Sequence, residues 1–190
     1  MINNFFQELN KIIPISNPEI LSSMKSILRF QKRPAGSILL NEGDISQNVF
    51  FIIKGMARAY YYEDEVEVTS WIIGDGEFIY STASYVRQKP SFECIQLIEN
   101  SEYFSIVKED LEKLQLKHPE VAILTIKILE KYLSIYDSRV RFLRLSANER
   151  YERYCHEFPN IAHHVKMEYL ATFLGISRSS ISKLRSLKKV

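Results

Sequence analysis

The chain has 190 residues, 46% of them apolar and 25% charged, with a formal net charge of +2. That balance is ordinary for a globular protein, and the length admits one large domain or two smaller ones. No apolar run approaches the roughly 20 residues needed to cross a bilayer. Met1 to Asn10 also lacks the basic start and continuous apolar stretch of a signal peptide, so the expected location is the cytoplasm.

Cys94 and Cys155 cannot alone supply the roughly four thiolates of an iron–sulfur cluster. A structural disulfide is disfavoured in a reducing compartment. Both read as ordinary buried or inert thiols. The net charge hides an asymmetry. Residues 1–140 carry 15 Lys/Arg against 19 Asp/Glu, and residues 141–190 carry 10 against 4. A basic C-terminal segment is the electrostatic footprint of a nucleic-acid binder, though it needs a motif to mean anything.

Taken in chain order, Phe5, Phe6, Leu9, Ile12 and Ile13 have helical spacing over Asn3 to Ile13. Asn17-Pro18 then caps and starts a second helix carrying Ile20, Leu21, Met24, Ile27 and Leu28. From Phe30 the pattern changes to short apolar or alternating runs: Ser37–Leu40, Val49–Ile53, Ala57–Tyr62, Val66–Ile72, Phe92–Ile98 and Tyr103–Val107. Turn residues such as Asn41-Glu42-Gly43-Asp44 and Gly74-Asp75-Gly76 separate them, which predicts an antiparallel sandwich or barrel. Lys108 to Lys117 reads as a short helix.

Pro119 can open a long helix, because the N–H it lacks would be unbonded there anyway. Ala122, Ile126, Leu129, Leu133, Tyr136, Val140 and Leu143 then step by four and three, a heptad seam. Val121, Ile128, Tyr132, Ile135 and Phe142 form a second stripe beside it. One stripe is expected to pack on the helix's own barrel and the seam on a partner helix, giving a homodimer. Burial of the whole helix within one domain is the alternative.

Ser146 followed by Glu149 is a capping box and marks entry into a second domain. The next helix is expected to run to about Phe158, before Pro159. The domains are thus expected at 1–118 (barrel with flanking helices), 119–145 (dimerisation helix) and 146–190 (a second, helical domain).

The segment Val165 to Val190 carries the functional signal. Met167 to Leu174 is helical, Gly175 can take the positive φ that ends it, Ile176 plugs the corner, and Ser177 caps a second helix from Arg178. Ile181 and Leu184 are its buried positions. Small Ala171, a turn glycine and apolar Ile176 and Ile181 are what two tightly crossing helices require. The second helix of such a pair enters the major groove. Arg178 can contact guanine in bidentate fashion, and Lys183 can reach a guanine or a phosphate. Ser177, Ser179, Ser180 and Ser182 complete the expected DNA-facing set, while Arg185, Lys188 and Lys189 add sequence-blind attraction.

With those residues in hand, the chain resembles the Crp/Fnr family of bacterial regulators from about Ile27 to Lys189. Gly36-Ser37-Ile38-Leu39-Leu40-Asn41-Glu42-Gly43-Asp44 and Val49-Phe50-Phe51-Ile52-Ile53-Lys54-Gly55 look like the opening of its cyclic-nucleotide-binding-like sensor barrel. Phe142-Leu143-Arg144-Leu145 and Glu149-Arg150-Tyr151 look like the hinge and first helix of its DNA domain. Leu170-Ala171, Leu174-Gly175-Ile176-Ser177-Arg178 and Leu184-Arg185 look like its helix-turn-helix. The resemblance implies an α+β fold: an N-terminal antiparallel β-barrel or jelly roll with flanking helices, a long dimerisation helix and a C-terminal helical domain. It implies a dimeric, DNA-binding transcription regulator, with RNA polymerase and a small-molecule effector as further partners.

Two departures from the family pattern bear on that reading. Cyclic-AMP-binding members carry a Gly-Glu pair and, about ten residues on, an arginine that neutralises the cyclic phosphate. Here Tyr80 and Ser81 align with the pair, Glu77 is a turn acid, and Ser91-Phe92-Glu93 stands where the arginine is expected. Arg87 and Lys89 fall in an expected loop. The candidate effector pocket is therefore Phe78, Tyr80, Ser81, Ser91, Phe92 and Glu93, either filled or differently specific. No cofactor is expected and no tight binding of cyclic AMP, because a buried phosphate beside Glu93 would lack a counter-charge.

In the reading helix, Ser179 replaces a glutamate that accepts from cytosine in well-known members, so the operator differs. The sequence read here stops at Val190, so the expected helix-turn-helix domain lacks a full wing. An enzyme is not expected: the four histidines form no metal-ligand spacing with the cysteines, and there is no P-loop. The rival reading is a ligand-binding or protein-interaction module with a vestigial DNA-binding domain.

Overall fold

A computed structural model describes residues 2–187. Two helices open the chain, α1 (Ile2–Asn10) and α2 (Pro18–Ile27). Asn17 caps α2 by accepting a hydrogen bond from the Glu19 backbone N–H at 2.9 Å, with Pro18 in the first turn. Five strands follow, β1 (Arg29–Arg33), β2 (Ile38–Leu40), β3 (Asn48–Lys54), β4 (Ala57–Glu63) and β5 (Val66–Ile73). Then come β6 (Phe78–Ile79), α3 (Thr82–Arg87), β7 (Cys94–Leu97) and β8 (Ser101–Val107). Helices complete the chain: α4 (Lys108–Lys117), α5 (Pro119–Phe142), α6 (Ala147–Glu157), α7 (Pro159–His164), α8 (Met167–Leu174) and α9 (Arg178–Leu187). Among the described residues no helix is long and apolar enough to cross a membrane.

The strands form two antiparallel four-stranded sheets, ordered β1-β8-β3-β6 and β2-β7-β4-β5. The architecture is jelly-roll-like but not a closed barrel, since each sheet keeps two edge strands. Phe50, Ile52, Ala59, Ile95, Leu97 and Tyr103 fill one core. Phe51, Ile53, Phe104 and Ile106 point the other way, into a second core with Phe5, Leu9, Leu114 and Leu124 of the flanking helices. Alternate residues of β3 thus feed different cores, which is why that strand reads as an unbroken apolar run. Burial of each such side chain contributes about 1.5–3 kcal/mol.

Four elements depart from the sequence reading, the two-residue strand β6 paired with β3 being one. Strand β1 is largely exposed and polar, and it forms because its backbone pairs with β8 from Arg29↔Ser105 to Arg33↔Ser101. Helix α3 occupies the stretch expected to be a loop, so Arg87 closes a helix instead. Helix α7 extends the helical region past Pro159, which sits in its first turn.

Helix α5 presents two faces. Val121, Leu124 and Phe142 are buried, and Ile128, Tyr132 and Ile135 are half-buried against the protein. Ile126, Leu129, Leu133, Tyr136, Val140 and Leu143 are 45–70% exposed, with Ala122 half-buried. Beyond α5, Ser146 and Glu149 form a reciprocal capping box at the start of α6. Tyr151, Tyr154, Val165, Leu170, Leu174 and Ile181 build the C-terminal core, which is continuous with Met56 and Ile72 of the sensor sheets.

Candidate nucleic-acid interface and effector pocket

Helix α8 ends at Gly175, whose φ of 63° and ψ of 39° lie in the left-handed region open to glycine. The backbone N–H of Ile176 then bonds the Ala171 carbonyl at 3.0 Å. Ser177 caps α9, its Oγ accepting from the Ser180 backbone N–H at 3.1 Å. Ile181 is fully buried and Leu184 half-buried beneath α9. On its open side Arg178, Ser179, Ser182 and Lys183 are all exposed. The hydroxyls of Ser179 and Ser180 lie 2.9 Å and 2.8 Å from that of Ser177, so three hydroxyls gather at the positive end of the helix.

One expected DNA-facing residue lies elsewhere. Arg185 is half-buried and donates to the Val165 carbonyl at 3.3 Å, because its position on α9 turns it back onto the domain. Lys188 and Lys189 lie outside the described residues.

The helix pair is docked on the sensor. Strand β5 is a sheet edge, and its Thr69 N–H donates to Thr172 Oγ1 of α8 at 3.1 Å. Helix α8 thereby covers an edge that could otherwise pair with another chain. Arg58 of β4 is 1% exposed, and its guanidinium lies 3.9 Å from the ring centroid of Tyr60 and 3.7 Å from that of Tyr169 on α8. It also donates to Gln96 at 3.0 Å and pairs with Glu67. From α5, Arg139 sits 3.9 Å from the Phe173 ring centroid and donates to the Phe173 carbonyl at 2.7 Å. Burial lowers its guanidinium pKa. Trp71 of β5 stacks on Tyr136 at 4.9 Å. Sequence reasoning did not single out Arg58; a lone cation among the strand aromatics Tyr60, Tyr61 and Tyr62 was the available signal.

Of the six candidate effector-pocket residues, the structure gathers three tightly. Ser81 and Ser91 are buried, and the Ser91 hydroxyl lies 2.9 Å from that of Ser81 and 2.8 Å from the Glu93 carbonyl. Ser70 donates to the Glu93 carboxyl at 3.2 Å. Burial raises the Glu93 pKa above the usual carboxylate range, against the opposing pull of Ser81 and Ser70. Ser70 is the extra residue of a β-bulge, since Ala59 pairs with Trp71 and Tyr60 with Thr69. Bulges of this kind re-aim a side chain.

Tyr80 borders the cluster, its ring 5.1 Å from that of Tyr85 and its phenol pKa raised by burial. Phe78 and Phe92 stand apart from it. Phe78 packs on Phe51 at 4.9 Å in the core beneath α1, and Phe92 is 56% exposed beside Tyr61. Strand alternation sends Phe78 to the opposite side of its sheet from Ile79. Arg87 and Lys89 are both exposed. Glu77 accepts from the Tyr132 hydroxyl at 2.5 Å and from Lys131 at 3.2 Å, and the Phe78 N–H donates to that same hydroxyl at 2.8 Å. The turn acid therefore anchors α5 to the sensor.

A jelly-roll-like sensor, a long helix with one apolar face exposed and a helix-turn-helix docked on the sensor define the fold of the Crp/Fnr-type transcription regulators. Residues 30–118 match the model of the cyclic nucleotide-binding domain family. A Crp/Fnr-family transcriptional regulator structure from Eubacterium rectale superposes with a TM-score of 0.71 at 20% identity, covering 97% of this chain and 87% of that one. FixK2 from Bradyrhizobium japonicum gives 0.71 at 15% identity over 85% and 84%. The catabolite activator protein of Thermus thermophilus gives 0.58 at 20% identity over 95% and 85%. A comparison with curated protein sequences gives no match.

Proposed function

We propose that the protein is a dimeric, sequence-specific DNA-binding transcription regulator acting in the cytoplasm, not an enzyme. The observation that carries this reading is the α9 face: Arg178, Ser179, Ser182 and Lys183 exposed over a buried Ile181, beyond the Gly175 turn. Cations at a helix N-terminal face suit the major groove, with Arg178 suited to guanine and Lys183 to guanine or phosphate. The fold neighbours supply the second support, being transcription regulators of the same architecture.

Dimerisation follows from the seam Ala122, Ile126, Leu129, Leu133, Tyr136, Val140 and Leu143. Apart from half-buried Ala122, its members are exposed, though the Tyr136 ring also stacks on Trp71 of its own chain, and a seam of that length favours a parallel partner helix. Two reading helices would then address half-sites about one helical turn apart, roughly 34 Å. The partners are double-stranded DNA, a second copy and RNA polymerase.

The sensor takes no cyclic AMP on this reading. Ser81, Ser91 and Glu93 satisfy one another, and no cation bonds to them among the described residues. A cyclic phosphate there would be buried uncompensated. Titration with cyclic AMP is expected to show no binding in the micromolar range.

The test is enrichment of fragmented genomic DNA by purified protein, beside an Arg178→Ala, Lys183→Ala variant. A two-fold motif recovered by the wild type and lost in the variant supports the reading. Identical recovery by both, or binding without the steep salt dependence of phosphate neutralisation, overturns it in favour of a ligand or protein-interaction module.

A further inference from the structure

A cavity of about 530 Å3 lies between the sensor and the C-terminal helices, separate from the Ser81–Ser91–Glu93 cluster. Met56, Trp71 and Ile73 of the sensor form one side, and Tyr154, Phe158 and Phe173 of the helical domain the other. That volume, at a junction of domains and with mostly apolar walls, fits a small-molecule site.

The charges around it have a sign. Four acids, Asp75, Glu77, Glu99 and Glu157, line the cavity, against Lys54 and His164, with Arg139 behind the Phe173 ring. Glu77 pairs with Lys131 and Glu157 with Arg153. Asp75 and Glu99 have no ion pair among the described residues; Asp75 accepts only from the Gly55 N–H, at 2.8 Å. Tyr154 is 4% exposed, and its hydroxyl has no hydrogen-bond partner among the described residues. A buried polar group left so costs about 1–3 kcal/mol. Aromatic walls take up a ring by ring–ring packing, and carboxylates that lack an ion pair take up an ammonium by charge-assisted hydrogen bonds.

We propose that this interdomain cavity binds an organic ammonium ion bearing a ring, with the ring among the aromatic walls and the ammonium toward Asp75 and Glu99. Because both domains line the cavity, such a ligand binds only when α6, α7 and α8 are docked on the sensor, and it shifts the population toward that state. The site is thus an effector site outside the sensor core, and it requires neither DNA binding nor dimerisation.

The test uses full-length protein and a matched pair of probes, 4-(trifluoromethyl)benzylamine and 4-(trifluoromethyl)benzoate, followed by 19F line broadening. Trp71 is the chain's one tryptophan and stands in the wall, so its fluorescence reports occupancy. The amine is expected to broaden and to quench Trp71 saturably, while the benzoate does neither. Glu99→Gln should weaken the amine by about tenfold by removing its countercharge. Ile161→Phe, which adds bulk to the wall, should abolish binding while thermal melts confirm a folded protein. Equal response to both probes, a saturable response unchanged in Glu99→Gln, or no saturable response to the amine overturns the proposal. The DNA enrichment result has no bearing on it.

Discussion

The guanidinium of Arg58 on the sensor lies 3.7 Å from the ring centroid of Tyr169 on the first helix of the helix-turn-helix, with Tyr60 on its other side. This buried cation between two rings joins the two domains, and a desolvated cation–π contact contributes about 2 kcal/mol. Tyr169→Leu is expected to destabilise the protein by about that amount, lowering the thermal midpoint by about 4–8 °C in a chain of this size. Tyr169→Phe keeps the ring face and should melt close to wild type. Differential scanning calorimetry of the two variants separates the ring from the hydroxyl.

The two faces of α5 should respond oppositely to substitution. Leu124 is 2% exposed in the core beneath α1, and Leu124→Ala should cost about 2–5 kcal/mol of stability. Leu133 is 70% exposed, and Leu133→Glu should leave the protomer's fold intact while converting the proposed dimer to monomer. Sedimentation velocity reads the second outcome and chemical denaturation the first.

Gly175 holds a φ of 63°, and a Cβ there would stand 3.1 Å from an Arg150 guanidinium nitrogen. Gly175→Ala should therefore cost about 1–2 kcal/mol, chiefly for left-handed backbone in an L-residue. The long side chain of Arg150 can move aside. The loss should appear in urea denaturation as a lower midpoint with an unchanged slope.

Burial raises the Glu93 pKa in the folded protein, so the folded state holds that proton more tightly than the unfolded chain. Its favourable contribution is full below the unfolded carboxylate pKa of about 4.3 and is lost as pH rises through the folded value. Glu93→Gln retains an acceptor for Ser70 without ionising. The variant should match wild type near pH 4 and exceed its thermal midpoint at pH 7–8. Melts across that range check the sign.

Much of this was legible in the sequence where periodicity and turn chemistry agree. The Ser146–Glu149 capping box, the Gly175 turn and the two stripes of α5 are local signals, and each stands where its residues imply. Strand β1 was not legible, because its polar residues form a strand only through backbone pairing with β8. Arg185 reads from its charge as a phosphate contact, yet the Val165 carbonyl claims it across a tertiary contact with no sequence signature. The Ser70 bulge was equally invisible, since one unpaired residue alters strand register without altering composition. Phe78 and Phe92 have the right residue type for a pocket, and the pleat alone decides where they point.

Three successive residues of β5 serve three different neighbours. The Thr69 backbone N–H bonds Thr172 in the helix-turn-helix, the Ser70 hydroxyl bonds Glu93 in the strand domain's interior, and the Trp71 ring stacks on Tyr136 of the long helix. A substitution at Ser70 or Trp71 therefore alters a setting that a distant position shares, and paired substitutions at 70/93 and 71/136 should combine non-additively. Deleting one residue here would misalign all three contacts together. Ser70 and Trp71 are expected to change only in company with their partners, whereas position 69 keeps its bond with any residue that has a backbone N–H.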